Sequence, residues 1–504
     1  MKAISKIIVP VVLLLLASIG SAARDTETQR LVSGYARTEP LRSAIFGVLA
    51  VRGTDTLARY NECLKMVPAS NVKLLTTGLA LTSLGPDYRF ETTLAYSGEV
   101  SGGVLDGDLY IIGGGDPTIA GRTECADPVD STFARWKALL DASGITSVKG
   151  RIIGDPRFFK RPGNDGSWQT EDTGWYYGAG PSGLNFFENA QNFRITPASL
   201  GQAPTITPTY PVTPWMSYVN SAVMGPSGSR NTVYLSNTDF GPVGEFFGNY
   251  PVGRGNYKLE CSNRFPAYTC AYYFYNYLRH NGIEVDGGYA DVSSEGNVRS
   301  DLLFSDVGRR AASPKSLCKL GSCKSPELWR ILKDTNHESD NFYAETLFNM
   351  LSHSRFGRAD RDSSLIAASE LLADMGLRTD GSCKLTDGSG LSRKNYVSPE
   401  FFVRFLRKMY AGSMREYYLR SLPSPGSKST LENRLRNAPE SIKSRVKMKS
   451  GSMNGVLCFS GYILSPDGDR SKTVFFSILT NNFTASGSSV GVILDEIIVS
   501  LATE

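Results

Sequence analysis

The stretch that most constrains this chain is Val72 to Leu84, a largely apolar run with a lysine, Lys73, at its second position. It opens at Pro68-Ala69-Ser70 and stops at Gly85-Pro86, the start and stop signals of a helix. A helix with so little polar surface is buried, and it carries Lys73 with it. Burying an unpaired ammonium costs several kcal/mol, about the margin by which a domain is stable. The fold must therefore enclose this helix and give its lysine a partner or a task.

Ser70 precedes Lys73 by three residues, which on a helix places both side chains on one face with β-carbons ~5–6 Å apart. The helix N-terminus, where Ser70 sits, favours developing negative charge. An amine acts as a base only when neutral, so Lys73 needs a pKa lowered from ~10.4 by desolvation and a positive neighbour. A lone S-x-x-K says little, because chance matches are common. Two further patterns follow it. Ser339-Asp340-Asn341 stands before a helical pattern, and Lys449-Ser450-Gly451 follows the strand-like Val446-Lys447-Met448. Singly they read as an N-cap cluster and as a strand ending in a turn. In this order, each on a matching element, they follow the motif order of the penicillin-recognising serine enzymes.

Other chemistries are poorly supplied. No Walker-type loop or dinucleotide fingerprint occurs. Gly487-Ser488-Ser489-Val490-Gly491 matches a nucleophile elbow, but that fold needs a later histidine, and the last one is His353. With three histidines in 504 residues and no C-x-x-C pair, no zinc site is expected, and no cofactor is implied. The net charge of +5 is spread over the whole chain without a basic block, so nucleic acid is not implied as a partner.

Lys2 and Lys6, the apolar run Ile7 to Ala17 and the small residues Gly20 to Ala23 read as an export signal cleaved after Ala22 or Ala23. That run is too short to span a bilayer, which takes ~20 residues, so no transmembrane anchor is expected after cleavage. Eight cysteines in an exported chain allow disulfides, Cys261/Cys270 and Cys318/Cys323 being the plausible local pairs. Ala44 to Tyr60 reads as a hairpin, and helical patterns return at 326–333, 341–352, 364–375 and 399–410. Strand patterns occupy 446–448, 459–464 and 473–480, and 490–501 closes as a helix. Between 181 and 226 recurring prolines suit short strands and loops. The simplest architecture is one α/β domain built from both ends of the chain, with other domains inserted in its middle.

Several segments resemble the D-alanyl-D-alanine carboxypeptidase/endopeptidases of the penicillin-binding-protein-4 type, the S13 peptidases. They are Pro68 to Thr76, Gly107 to Tyr110 with Gly113 to Pro117, Asn185 to Asn189, Ser339 to Glu345, Asp387 to Arg393 and Lys449 to Gly455. The 269 residues (339 − 70) between Ser70 and Ser339 also suit that family, which places inserted domains there. The resemblance implies a penicillin-binding-protein/serine β-lactamase-like α/β transpeptidase-type domain, with mostly-β domains between its first and second motifs. The implied division is a catalytic domain over 24–90 and 310–504, an inserted domain over 91–190 and 266–309, and a mostly-β domain over 191–265.

It further implies that Ser70 is acylated with Lys73 as its base, while Ser339 and Asn341 relay protons and hold the peptide amide. Lys449 and Ser450 would bind the terminal carboxylate of D-alanine or penicillin. Gly451 lies between these and Ser452, whose N–H joins that of Ser70 in an oxyanion hole. Asp155 would contact the third residue of the stem peptide. The implied partners are peptidoglycan stem peptides and β-lactams in the periplasm, with self-association left open. Ser450 departs from the family, which usually has threonine there. Rival readings are a non-hydrolytic β-lactam or muropeptide binder, and a β-lactamase or esterase on the same scaffold.

Overall fold

The computed structural model describes residues 26–160, 166–238, 241–302 and 309–504. The expected export signal over 1–23 lies outside them. The two ends of the chain meet in one antiparallel sheet of five strands: β1 (Ile45–Arg52), β2 (Asp55–Tyr60), β3 (Val446–Met453), β4 (Val456–Ile463) and β5 (Val474–Asn481), ordered β2-β1-β5-β4-β3. Strand alternation divides the residues between two cores. Val474, Phe476 and Ile478 of β5 face one side, where they pack with Val32 of α1 (Glu27–Tyr35) and with Val490, Leu494 and Ile498 near the C-terminus. Phe475 and Leu479 face the other side.

That other side carries α2 (Val72–Leu84), α3 (Leu328–His337), α4 (Asn341–Phe356), α5 (Arg361–Asp374) and α6 (Pro399–Ala411), while α7 (Gly487–Thr503) covers the first face with α1. Leu74, Leu75, Leu79 and Leu81 of α2 are fully buried among these helices. At ~1.5–3 kcal/mol each, this burial fixes α2 and makes the burial of Lys73 unavoidable. The hairpin and the helices starting at Asn341 and Pro399 match the sequence expectation closely. The Gly487 to Gly491 elbow pattern is the first turn of α7, capped by Ser486, and not a strand-to-helix elbow.

The middle of the chain departs from expectation in three ways. A six-stranded mixed sheet there is packed by two helices that the mostly-β reading missed, Val129–Ala142 and Pro266–His280. The second, PAYTCAYYFYNYLRH, is rich in residues of weak helix propensity. Pro266 at its first turn and an aromatic cluster joining Phe133, Trp136 and Phe274 select the helix instead. Next, Cys318–Lys324 pairs with Glu91–Tyr96 in that sheet, so the chain leaves the inserted region after Lys324 and not near 310. Finally, all eight cysteines are free thiols. Cys318 and Cys323 lie on one extended strand, about 16 Å apart at ~3.3 Å per residue, beyond the ~7 Å a disulfide tolerates. Cys261 and Cys270 are buried in different cores. The 190–262 stretch forms three small sheets around Phe193, Leu235 and Phe246.

Candidate active site

Ser70 sits in a tight turn (Ala69–Asn71) leading directly into α2, and three neighbours hold that turn. A Cβ on Gly451 would lie 2.5 Å from Pro68 O and 3.0 Å from Ser70 N, so β3 passes against the turn at a distance only glycine permits. A Cβ on Gly390 would lie 2.0 Å from Ala69 O. Beneath the turn, Asn71 Nδ2 donates to Ser460 Oγ at 2.8 Å, which in turn meets Ser477 Oγ at 2.8 Å. Ala69 has φ +46°, a left-handed conformation costing a non-glycine residue ~1–3 kcal/mol. Ser339 stores similar strain at φ +57°. Both strained residues stand within one position of a motif side chain.

The Lys73 side chain is fully buried, and its Nζ has three partners: Ser70 Oγ at 3.1 Å, Asn341 Oδ1 at 2.6 Å and Ser389 O at 2.7 Å. Two are carbonyl oxygens, which can only accept. A neutral amine has two N–H donors and one lone pair. With both donors committed to the carbonyls, the lone pair is left facing the Ser70 hydroxyl. Burial pushes Lys73 down to about 8, opposed by the carboxylates of Asp340, Asp387 and Glu345.

Lys449 is equally buried on the same face of β3 as Gly451. Its Nζ donates to Ser339 Oγ at 2.8 Å and to Ser450 O at 2.8 Å. Burial first, and Lys73 second, push it well below the ordinary ammonium range. Among the described residues no carboxylate is paired with it.

The edge position of β3 orients its backbone. Met448 N–H donates off the sheet to Pro423 O at 3.1 Å. Strand periodicity then points the N–H groups of Ser450 and Ser452 the same way. Ser450 Oγ donates to Thr430 Oγ1 at 3.1 Å. Asn341 is held from the other side, its Nδ2 donating to Tyr177 O at 3.0 Å.

Ser70, Lys73, Ser339, Asn341, Lys449 and Gly451 thus come together, with Ser450 and Ser452 flanking Gly451 on the same strand. Asp155 does not join them. It is fully buried at the end of a strand of the inserted sheet, where its carboxylate accepts from Arg157 N (3.0 Å), Nε (2.9 Å) and Nη2 (2.6 Å). Arg157 lines a cavity of about 760 Å³ together with Asp291 and Arg299, and no cleft residue borders it. A carboxylate saturated in this way is not offered to a substrate.

Sequence reasoning missed the Ser389 carbonyl, Tyr177 and Thr430. The Asp387 to Arg393 segment had stood out only as one of the family-like segments, with no role assigned, and a backbone carbonyl leaves no mark in residue identity. Trp168, whose Nε1 donates to Asp387 Oδ2 at 2.9 Å, was likewise unflagged.

A mixed α/β architecture with these motifs on its central sheet and helices is the penicillin-binding-protein transpeptidase-type fold. The family model described as D-Ala-D-Ala carboxypeptidase 3 (S13) matches residues 29–502, and the chain belongs to that family: it is a carboxypeptidase. A D-alanyl-D-alanine carboxypeptidase from Actinomadura sp. is 30% identical over 96% of this chain and 86% of its own length. The DacB carboxypeptidase of Haemophilus influenzae is 23% identical over 84% and 83%. The fold matches the crystal structure of penicillin binding protein 4 from Haemophilus influenzae with a TM-score of 0.75 at 22% identity, covering 95% of this chain and 98% of that one. It also matches that protein complexed with a β-lactam, with a TM-score of 0.70 at 21% identity over 94% and 98%.

Proposed function

We propose that the protein is an exported, serine-type D-alanyl-D-alanine carboxypeptidase that acylates itself on Ser70, acts on peptidoglycan stem peptides and crosslinks, and is inhibited by penicillins. The observation that carries this reading is the buried Lys73 amine, 3.1 Å from Ser70 Oγ with two carbonyl oxygens as its other partners, so that once neutral it turns its lone pair to the Ser70 hydroxyl.

Ser70 Oγ attacks the carbonyl carbon of the penultimate D-alanine as its proton passes to Lys73 Nζ. The oxyanion is received by the N–H groups of Ser70 and Ser452, each worth ~3–4 kcal/mol in comparable sites. The C–N bond then breaks. The leaving amine takes a proton supplied by Lys73 through the Ser339 hydroxyl, which Lys449 orients. Water attacks the ester in the reverse sense and frees Ser70. Endopeptidase action is the same step with a neighbouring stem as leaving group.

Lys449 and Ser450 take the substrate's terminal carboxylate. In the protein alone Lys449 is pushed down because no anion offsets its burial. A bound carboxylate restores its charge, and that charge depresses Lys73 further towards the neutral base. Penicillin carries a carboxylate in the corresponding place, and a β-lactam complex is known for the structurally similar Haemophilus influenzae protein. No helix among the described residues is long and apolar enough to cross a membrane.

The test is a fluorescent penicillin and a peptide ending in D-Ala-D-Ala, given to wild type and Ser70→Ala. Labelling and D-alanine release by the wild type, both lost in the variant, is the expected result. An unlabelled wild type rejects any acyl-enzyme. Labelling without D-alanine release would make the protein a binder.

A further inference from the structure

Of the two carbonyls that hold the Lys73 amine, one belongs to Asn341 at the start of α4, and the other, Ser389 O, belongs to a loop with no regular structure of its own. Four N–H groups of that loop end on two buried carboxyls. Gly388 N and Ser389 N donate to Glu345 Oε1 at 3.1 and 2.7 Å. Gly390 N and Ser392 N donate to Asp387 at 2.8 and 2.6 Å. With its N–H groups drawn to one side, the loop turns its carbonyls onto α2: Gly388 O accepts from Thr76 Oγ1 at 2.6 Å, and Ser389 O accepts from Lys73 Nζ. Glu345 lies four residues after Asn341 and so on the same face of α4. That face therefore governs both acceptors, one by contact and one through the loop.

We infer that Glu345 is a positioning residue for the acylation step: its carboxyl oxygen anchors the Gly388 and Ser389 N–H groups and so places residue 389, whose carbonyl directs the Lys73 lone pair at Ser70, while Asp387 holds Gly390 N–H in the same peptide unit as that carbonyl. The inference rests on reading Lys73 as the base. It is the reach of the oxygen, and not a negative charge, that does this. Burial first, and the Asp387 carboxylate second, push the Glu345 carboxyl upward, towards the uncharged acid. An ionised Glu345 would act against the mechanism, because its charge, like those of Asp340 and Asp387, favours the protonated Lys73.

Reach and charge separate in two substitutions. Glu345→Gln keeps the oxygen in place and cannot ionise. Glu345→Asp keeps a carboxyl and withdraws it by one C–C bond, ~1.5 Å, breaking both hydrogen bonds to the loop. Stopped-flow acylation by a fluorescent penicillin gives the limiting acylation rate and the affinity of the complex that precedes it. The Gln variant is expected within about threefold of wild type, and the Asp variant about 10- to 100-fold slower with that affinity changed less than about threefold, as for a base moved off line by ~1 Å. An Asp variant at the wild-type rate, or a Gln variant as slow as the Asp variant, overturns the inference. Should the Asp variant not accumulate as folded protein, Gln alone decides: a rate near wild type supports the role, and a fall beyond about tenfold overturns it. Lys73→Ala, run alongside, separates the two levels. Full acylation by Lys73→Ala sinks the base reading itself. An inactive Lys73→Ala beside a fully active Asp variant sinks only the role of Glu345.

Discussion

In the inserted region Asp155 and Asp291, both buried on adjacent strands, each hold an arginine through two side-chain hydrogen bonds, Arg157 and Arg299. In the cleft Lys73 and Lys449 are buried just as deeply, yet their amines meet only carbonyls and hydroxyls, and Lys449 feels the like charge of Lys73. In the first place both carboxylates removed from water are matched, so the pairs hold sheet and loop together and have nothing left to offer. In the second the mismatch persists, and it lowers the affinity of each amine for its proton. For these four side chains, buried charge marks structure where it is paired and chemistry where it is not. Asp155 was expected from the family resemblance to contact the substrate, and its carboxylate is instead taken up by Arg157.

The contrast can be broken by substitution. Lys73→Met removes the base and a costly buried amine together. We expect D-alanine release to fall by about 10⁴-fold while the thermal midpoint holds or rises, measured by D-alanine assay and by calorimetry. Lys449→Met should lower kcat/KM on carboxylate-bearing peptides by about 10²-fold. It should also move the acid limb of the rate profile to higher pH, because a positive neighbour of Lys73 is gone and its proton is held more tightly.

Arg299→Met tests the other region. It strands Asp291 in the interior and should cost about 3 kcal/mol of stability, the lower end for a broken buried pair because the arginine is partly solvated, read from urea unfolding. Activity per folded molecule should stay within about twofold, since neither residue touches the cleft. A loss of activity there at constant stability would erase the distinction between the regions. Ser450→Thr is the mildest change. It keeps the hydroxyl that meets Thr430 and adds one methyl, so KM for the peptide should shift by less than about threefold.

Much of the cleft was legible in the sequence because its parts are side chains at fixed spacing on strongly patterned elements. Ser70 and Lys73 sit one turn apart on an apolar helix, Asn341 opens another helix, and Lys449 lies on a strand whose neighbours alternate. The five-stranded sheet was legible for the same reason. What escaped depends on long-range contact. Ser389 acts through its backbone, and Tyr177 reaches Asn341 from a segment more than 160 residues away, as the chain separation of 164 makes plain. The helix at Pro266–His280 is made by aromatic packing against its own intrinsic preference. The saturation of Asp155 by Arg157, two residues on, depends on a strand end that turns both side chains into one site, and composition does not announce that.

The central claim is that an uncharged Lys73 takes the Ser70 proton, and the pH dependence of acylation by a fluorescent penicillin tests it most directly. Since only the neutral amine accepts a proton, the rate should fall about tenfold for each pH unit below a midpoint near 8 and level off above it. A rate that stays constant from about pH 6 to 9 would contradict the claim, because no group with the affinity of Lys73 would then be giving up its proton before Ser70 reacts.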